Sequence, residues 1–334
     1  MKKFIIKFAL FLLGIFLIQS GISRAFPYLI PNDIAEYKTK LSTQPDVLLF
    51  GDSATTFINP SDTNRQNLGD MLAQTLQGYK TITIAYPASA PVIYEAIGRF
   101  VVKSSPRPKV LVVAVNPRVF SPEWDKRPVF QFEYAKLSLR YWNTPVYPFL
   151  KLLIALKAFD VNPISLAQFD ATPVYSGDSI MGKVIDFESI KYLAFSDTNM
   201  KKIITYFYMM NVGEDHRQLR ALVSLGKLFR NSDTKLLFYL TPIDYQTGET
   251  YAGTAFSDQL SKNISLVKES LREVGYEATD LTFSLDSSYF GWKGSETLYV
   301  NEHLSDRGRL WVAQKLAREV SILLLSSATT PGTQ

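Results

Sequence analysis

The chain has 334 residues and 46% of them are hydrophobic, which is enough to bury a large core in one or two domains. Its formal net charge of +5 comes from scattered Lys and Arg, and no basic stretch is interleaved with aromatic residues, so a nucleic-acid partner is not expected. The absence of Cys excludes disulfides, Cys-ligated zinc and a thiol nucleophile, and no motif calls for a cofactor or a metal ion.

The first 25 residues have the pattern of a membrane-targeting segment. Lys2 and Lys3 precede an apolar stretch from Phe4 to Ile18 that only Lys7 interrupts. The uninterrupted part, 11 residues long, suits the core of a signal peptide, whereas snorkelling of Lys7 would let the whole stretch act as a short span. We favour an uncleaved, single-pass signal anchor in the inner membrane; a cleaved signal peptide and a buried core helix stay open. In the first two cases the main domain is extracytoplasmic, in the periplasm.

Residues 26–45 read as a connector, and an α/β domain is expected over 46–325. Its first strand, 47–50, runs directly into Gly51-Asp52-Ser53, because a short apolar run followed by Gly is typical of a buried parallel strand that ends in a tight turn. Helical spacing of apolar residues predicts helices over 67–77 and 91–102. Further strands are predicted over 81–85 and 110–115.

The pattern changes over about 120–212, which is rich in aromatic residues and Pro. This segment includes a predicted helix over 147–159 and is expected to be a mostly helical insertion. One interpretation is a helical subdomain with its own core. The other is a lid or a partner-docking surface near the membrane.

Alternation of helices and strands then resumes to the end of the domain. The predicted helices cover 215–229, 257–274 and 305–325, and the predicted strands cover 235–240 and 281–285. Together with the first half, this predicts a parallel five-stranded sheet with helices on both faces. Residues 326–334 are expected to be a disordered tail.

Ser53 is a candidate nucleophile because open α/β sheets place their chemistry at the carboxyl ends of strands. His is the usual base for such a Ser, and the chain has two. His216 falls in a charged helix start and reads as a solvated residue of the first turn. His303 falls just before Ser305, a good N-cap for the last helix, and on the same sheet edge as Ser53.

An oxyanion hole needs hydrogen-bond donors at the same edge. The backbone N–H of Ser53 is one candidate, and Asn116, directly after the third strand, is another. The loop after the second strand offers a backbone N–H from Ala88 or Ser89. A second Gly-Asp-Ser tripeptide, at 177–179, has no apolar strand before it, so Ser179 is not expected to be the nucleophile.

These blocks resemble the SGNH/GDSL hydrolase superfamily over most of residues 45–325. The resemblance rests on three motifs: Gly51-Asp52-Ser53 after a strand, Asn116 after the third strand, and His303-Leu304-Ser305-x-x-Gly308 near the end. The resemblance implies a flavodoxin-like three-layer fold, with Ser53 as nucleophile, His303 as base and Asp52 in a supporting role. It implies an oxyanion hole formed by Ser53, Asn116 and a third donor. In place of the family's second-block Gly, that donor is expected from the Ala88-Ser89 region, namely Ser89.

The sequence leaves several candidates for the residue that orients the base, His303. The family's acid falls three residues before the His, where this chain has Val300. Asn301 is the candidate to orient His303, since Asn can do so without charge. Asp286 is an alternative, and a Ser–His dyad without an acid is another.

The N-terminal segment, Val115-Asn116-Pro117-Arg118 and Tyr239-Leu240-Thr241-Pro242-Ile243 are similar to a membrane-anchored bacterial branch of the superfamily. That branch includes the esterase-like protein of teichoic-acid D-alanylation and the acetylation proteins of exopolysaccharide systems. It implies a serine esterase or O-acyltransferase for acyl esters, with acetyl expected, of an envelope or exopolysaccharide glycan. A membrane-bound O-acyltransferase is an expected partner. The alternative is a non-catalytic assembly or binding partner of a polysaccharide acylation or export complex.

Overall fold

The computed structural model describes residues 2–25, 33–142, 144, 146–159, 164–171, 173–175, 180–183, 197–291 and 302–328. Its strands are β1 (Val47–Gly51), β2 (Thr81–Ala85), β3 (Val110–Val115), β4 (Pro173–Tyr175), β5 (Ile180–Lys183), β6 (Lys235–Leu240) and β7 (Ala278–Asp280). Five of them form one sheet in the order β2-β1-β3-β6-β7, and every neighbouring pair is parallel. The predicted parallel sheet is confirmed.

The helices of the described residues alternate with these strands. They are α1 (Lys2–Ala25), α2 (Asp33–Ser42), α3 (Ser53–Thr56), α4 (Leu68–Thr75), α5 (Pro91–Val102), α6 (Pro122–Lys126), α7 (Glu133–Tyr141), α8 (Tyr147–Ala155), α9 (Leu166–Asp170), α10 (Asp197–Tyr208), α11 (Arg217–Phe229), α12 (Tyr245–Ala252), α13 (Ala255–Glu273) and α14 (Asp306–Ala328). Single-turn 3-10 helices cover Pro117–Phe120, Pro128–Gln131 and Ser287–Tyr289.

The sheet separates two apolar layers, because successive side chains of a strand point to opposite faces. In β1, Leu48 and Phe50 join the layer that contains buried residues of α2, α5, α11 and α13. Val47 and Leu49 join the layer formed with α4 and α14. Burial on both faces explains why β1 and β3 are apolar at nearly every position.

The last strand was predicted to begin three residues too late. It covers 278–280, and the predicted residues 281–285 form the turn that follows it. Leu281 and Leu285 are buried against α14 from this turn, so their apolar character reflects packing in the second layer and not strand pairing. The last helix also continues to Ala328, so residues 326–328 are helical and not part of a tail; residues 329–334 lie outside the described part.

The described part of the insertion packs largely into the core of the sheet. Its buried side chains, among them Phe169, Ile204 and Phe207, belong to the same apolar cluster as Phe50 of β1. These described residues extend the layer on one face of the sheet, and the interpretation as a helical subdomain with its own core stays a prediction. The alternative of a lid or docking surface stays a prediction.

The N-terminal helix α1 presents most of its large apolar side chains to the exterior, among them Phe4, Phe8 and Phe11. Within the residues that the structure describes, no helix combines the length and the apolarity that a membrane crossing requires. The signal anchor and the periplasmic location stay predictions.

Candidate active site

Ser53 begins a one-turn helix directly at the carboxyl end of β1. Asp52 is the N-cap of this helix, and its Oδ1 accepts a hydrogen bond of 2.9 Å from the backbone N–H of Ala54. Gly51 is required by close packing, because a Cβ at that position would lie 2.1 Å from Oγ1 of Thr55. The turn therefore places a half-buried Ser53 with its hydroxyl at the edge of the sheet.

His303 reaches Ser53 from the other end of the chain. Its Nε2 lies 3.2 Å from Oγ of Ser53, and its ring lies 4.6 Å from that of Phe57, centroid to centroid. Its backbone carbonyl accepts a 2.8 Å hydrogen bond from the N–H of Gly291. In the tautomer that carries its proton on Nδ1, the imidazole accepts the proton of the Ser53 hydroxyl.

The sequence after His303 explains why its loop stays in place. The hydroxyl of Ser305 donates to the carbonyl of Tyr289 over 3.0 Å and accepts from the N–H of Gly308 over 3.4 Å, so it caps α14. Gly308 is needed here because a Cβ would come 2.4 Å from the carbonyl oxygen of Tyr289. The Leu-Ser-x-x-Gly pattern thus locks the helix start against the segment that precedes it.

Burial holds the pKa of His303 below its ordinary value of 6.5; nearby Glu302 opposes this effect and Arg118 adds to it. A lowered pKa keeps the imidazole neutral near pH 7. A neutral imidazole is the form that can act as a general base.

Asn116 is held beside Ser53 by Asp52. Its Nδ2 donates to Oδ2 of Asp52 over 2.9 Å, and its Oδ1 accepts from the N–H of Arg118 over 3.1 Å. An amide nitrogen carries two hydrogens, so the bond to Asp52 leaves a second donor on Nδ2. The structure therefore brings Ser53, His303, Asp52 and Asn116 together at one edge of the sheet.

Asp52 is fully buried, and its pKa is raised to about 6. Burial is the largest cause and the negative charge of Glu302 adds to it, while hydrogen bonds from Asn116 and Ala54 oppose the rise. Asp52 thus orients both the amide of Asn116 and the first turn that carries Ser53.

Ser89 does not fit the role predicted for its backbone. Its N–H donates to the carbonyl of Tyr86 over 3.1 Å, because the loop after β2 closes a tight turn there. Ala88 takes a left-handed conformation in this turn, with φ of 62°. Gly favours that conformation, so an Ala at this position is strained. Of the two predicted donors, the N–H of Ala88 is the better candidate.

Three residues near His303 in the sequence can be compared as candidates to orient its imidazole. Asn301 lies outside the described residues. Asp286 is exposed and accepts from the N–H of Ser288 over 2.8 Å within its own turn; hydrogen bonds from Ser288 lower its pKa. Glu302, adjacent to His303 in the chain, is buried and bonded to Arg118 and Tyr208.

His216 lies away from this site, as its sequence context predicted, but it is not solvated. It caps α11 by accepting from the N–H of Gln218, and its Nε2 lies 3.0 Å from the carbonyl of Phe120. Burial lowers the pKa of its imidazole, with Asp125 opposing. The predicted solvated first turn is wrong for this residue. Ser179 lies outside the described residues.

A buried Arg that sequence reasoning did not single out connects the two halves of the site. Arg309 donates to Oδ2 of Asp62 over 2.7 Å, to the carbonyl of Leu304 over 2.8 Å and to the carbonyl of Asn64 over 3.0 Å. The loop after Ser53 and the loop that carries His303 are therefore held by one guanidinium. An Arg on a predicted amphipathic helix gives no signal that it is buried.

No protein-family model matches the chain, and no curated protein matches it either. Among solved structures, a protein of Agrobacterium tumefaciens str. C58 whose assignment as an arylesterase is provisional is 13% identical, with a TM-score of 0.36 over 83% of this chain and 98% of the other. The native aryl esterase of M. smegmatis is 11% identical, with the same TM-score and the same coverage of both chains. Likeness at this level carries no conclusion about function, which has to come from the site itself.

Proposed function

We propose that the protein is a serine esterase or O-acyltransferase in which Ser53 is the nucleophile and His303 the base. The observation that supports this most is the 3.2 Å separation of Ser53 Oγ and His303 Nε2, brought together by segments 250 residues apart. A hydroxyl and a neutral imidazole at hydrogen-bonding distance are the pair that nucleophilic acyl transfer requires. Asn116 and the N–H of Ser53 are the proposed donors to the oxyanion.

In the proposed reaction Ser53 Oγ bonds to the acyl carbon while its proton passes to Nε2 of His303. The carbonyl oxygen becomes an oxyanion that accepts hydrogen bonds from the Ser53 N–H and from the second hydrogen of Asn116 Nδ2. Collapse of this intermediate breaks the ester bond, and the leaving alcohol takes the proton from His303. Water or an acceptor hydroxyl then attacks the acyl-Ser53 and gives its proton to His303. The bond to Ser53 Oγ breaks and releases the acid or the new ester, and His303 returns the proton to Oγ, which restores Ser53.

The test uses a fluorophosphonate probe, which reacts with activated Ser hydroxyls, and hydrolysis of p-nitrophenyl acetate. We expect Ser53→Ala to remove labelling and to lower kcat/KM about a thousandfold or more. His303→Gln should slow labelling by about a hundredfold or more, because it removes the base. Ser179→Ala is the matched control, since it alters the Ser of the second Gly-Asp-Ser tripeptide and should label like the wild type. A folded wild type that neither labels nor hydrolyses esters would refute the proposal.

The finer part of the proposal is the substrate and its location. The substrate is an O-acyl ester, with acetyl expected, on an envelope or exopolysaccharide glycan in the periplasm, and a membrane-bound O-acyltransferase is the partner. Lys2, Lys3 and the exposed apolar side chains of α1 support an association with the inner membrane. A reporter fused after Gln334 that is active only in the periplasm tests the location. Release of acetate from an O-acetylated glycan, compared with formation of a new ester, separates hydrolysis from transfer.

A second candidate function is a non-catalytic partner of a polysaccharide acylation or export complex. It is favoured by exposed apolar side chains on the insertion, namely Val129, Val146, Leu153, Leu156 and Leu166. If complex formation and glycan acylation in cells survive both Ser53→Ala and His303→Ala, this candidate replaces the enzyme.

A further inference from the structure

A buried ion pair joins the two loops that carry Asn116 and His303. Nη1 of Arg118, two residues after Asn116, lies 2.5 Å from Oε1 of Glu302, the residue before His303. Both side chains are almost wholly inaccessible to solvent, at 5% and 3% exposure. The pair therefore connects the end of β3 directly to the loop that presents the base.

Both partners are held from the insertion side. The guanidinium of Arg118 lies over the rings of Trp124 and Phe207, 4.5 Å and 3.9 Å from their centroids. Tyr208, the last residue of α10, donates its hydroxyl to Oε2 of Glu302 over 2.6 Å. The two carboxylate oxygens thus have different donors, which fixes the side chain in one orientation.

Glu302 is held as an anion despite its burial. Burial by itself would raise its pKa, but Arg118, His303 and the hydroxyl of Tyr208 together bring the pKa below the ordinary value. A buried ion pair is often no more stabilising than apolar residues of the same size, so a gain in stability is a weak explanation for the presence of this pair. Its position beside His303 offers a better explanation.

A second set of the same groups provides a comparison within the protein. Tyr206 donates to Oε2 of Glu123 over 2.6 Å, and Nε of Arg127 lies 2.6 Å from Oε1 of the same carboxylate. Glu123 is also buried. It is not adjacent to His303, and burial raises its pKa where that of Glu302 is lowered, so the two sets share the same side chains but differ in location and in the pKa of the carboxylate.

The groups around His303 define what Glu302 can do to it. Among the described residues the charged groups that act on the imidazole are Glu302 and Arg118. Ser53 and the ring of Phe57 are among its uncharged neighbours, and the buried Asp52 directly precedes Ser53 in the chain. Glu302 is therefore the negative charge placed to stabilise the imidazolium that forms when Ser53 gives up its proton.

Resting on the proposed function, we propose that Glu302, held by Arg118 and Tyr208, is a positioning residue for His303. It ties the loop of the base to the loop of Asn116, and its charge favours the protonated imidazole during acyl transfer. Its carboxylate acts through His303 and does not contact the reacting atoms.

The effect of the Glu302 charge on His303 is tested by titrating His303 in the absence of any substrate. The chain has only two His, so ¹³C-labelled imidazole gives two signals, which His216→Gln assigns. We expect Glu302→Gln to lower the pKa of His303 by about one unit or more, since removing the nearby opposite charge disfavours the charged form. The pKa of His216 is the internal reference and should not change. Glu123→Gln is the matched control and should leave both values unchanged.

The link that Glu302 makes between the loop of His303 and the loop of Asn116 is tested by the rate of fluorophosphonate labelling. Tyr208→Phe keeps both charges but removes one hydrogen bond of Glu302, so it serves even where Glu302→Gln fails to fold. We expect it to slow labelling by about tenfold, the factor that one lost hydrogen bond to a charged group represents. Its matched control, Tyr206→Phe, should label at the wild-type rate. An unchanged rate in Tyr208→Phe, or an unchanged His303 pKa in Glu302→Gln, would overturn the inference.

These outcomes separate the inference from the proposed function. The titration of His303 does not depend on activity, so a shifted pKa in a protein that never labels would refute the esterase and leave the charge of Glu302 in place. Wild-type labelling with no effect of either variant would leave the esterase and remove the role of Glu302.

Discussion

Replacing Asp52 with Asn should change how the free energy of unfolding depends on pH. The carboxyl of Asp52 is buried, and mainly for this reason its pKa is raised from an ordinary 3.8 to about 6. In the folded state it therefore holds a proton more tightly than in the unfolded state. Its ionisation destabilises the fold above pH 6, and this loss is relieved as the pH falls from 6 towards 4.

The magnitude follows from the shift. About two pH units at about 1.4 kcal/mol each correspond to about 3 kcal/mol of stability that is present at low pH and lost by pH 7. Asn at this position cannot accept from both Asn116 Nδ2 and the Ala54 N–H, because it has one amide oxygen and not two. The lost hydrogen bond should lower the free energy of unfolding by about 1–3 kcal/mol, by the same amount at every pH.

The assay is urea unfolding followed by circular dichroism between pH 4 and pH 8. We expect the stability of Asp52→Asn relative to the wild type to rise by about 2–3 kcal/mol across this range. Taking the difference between the two proteins removes the contributions of other carboxyl groups. Asp233→Asn, at an exposed position, is the control for an exchange of Asp for Asn away from the site. A flat difference for Asp52→Asn, within about 0.5 kcal/mol, would refute the raised pKa of Asp52.

Three further predictions concern the loops around the site. Gly51→Ala should lower the free energy of unfolding by about 1–3 kcal/mol in urea titrations, because its Cβ would overlap Thr55; an unchanged midpoint would contradict that packing. Ala88→Gly should raise the melting temperature, by relieving a left-handed Ala whose strain is about 1 kcal/mol; a clear decrease would show that the turn is not left-handed in solution. Arg309→Met should cost about 3–5 kcal/mol by leaving Asp62 buried without its partner, and adding Asp62→Leu should recover part of the loss; a cost below about 1 kcal/mol would contradict the buried pair.

The sheet could be predicted because its strands carry a strong local signal. β1 and β3 are buried on both faces, so each is a run of apolar residues that no surface strand or amphipathic helix would show. β7 was misplaced because it has the opposite character. It is an edge strand of Ala278, Thr279 and Asp280, and none of these residues is buried. The Leu residues of the turn that follows are buried. The apolar residues therefore mark the turn and not the strand.

The site was predictable only to the extent that chain position determines it. Ser53 and Asn116 each directly follow a strand of a parallel sheet, and this alone places them at one edge. The bond between Asn116 and Asp52 depends on two strands lying side by side, and the turn that uses the N–H of Ser89 depends on the φ of Ala88. Neither is visible in residue types.

Arg118 and Glu302 illustrate a harder limit. Charged residues are rarely buried, so the expectation for each alone is a solvated side chain. Burial becomes favourable only when both are present with the hydroxyl of Tyr208, and these three residues come from three distant parts of the chain. No window of sequence contains the set, so only the assembled fold could reveal it.

The assembled site makes the chemistry conditional on the whole fold. Ser53 is positioned by β1, which is near the start of the domain, and its proposed base comes from the loop before the last helix. The ties between them are themselves long-range: Arg309 links the loop after Ser53 to the carbonyl of Leu304, and Glu302 links the loop of His303 to Arg118. The loop of the base is therefore secured on both sides of His303, by Glu302 before it and Leu304 after it. A loop fixed at only one point would let the imidazole swing away from Ser53, and a change of about 1 Å in such a pair is enough to slow acyl transfer about a hundredfold. The two buried Arg residues are thus better understood as the means of holding one 3.2 Å contact than as separate sources of stability.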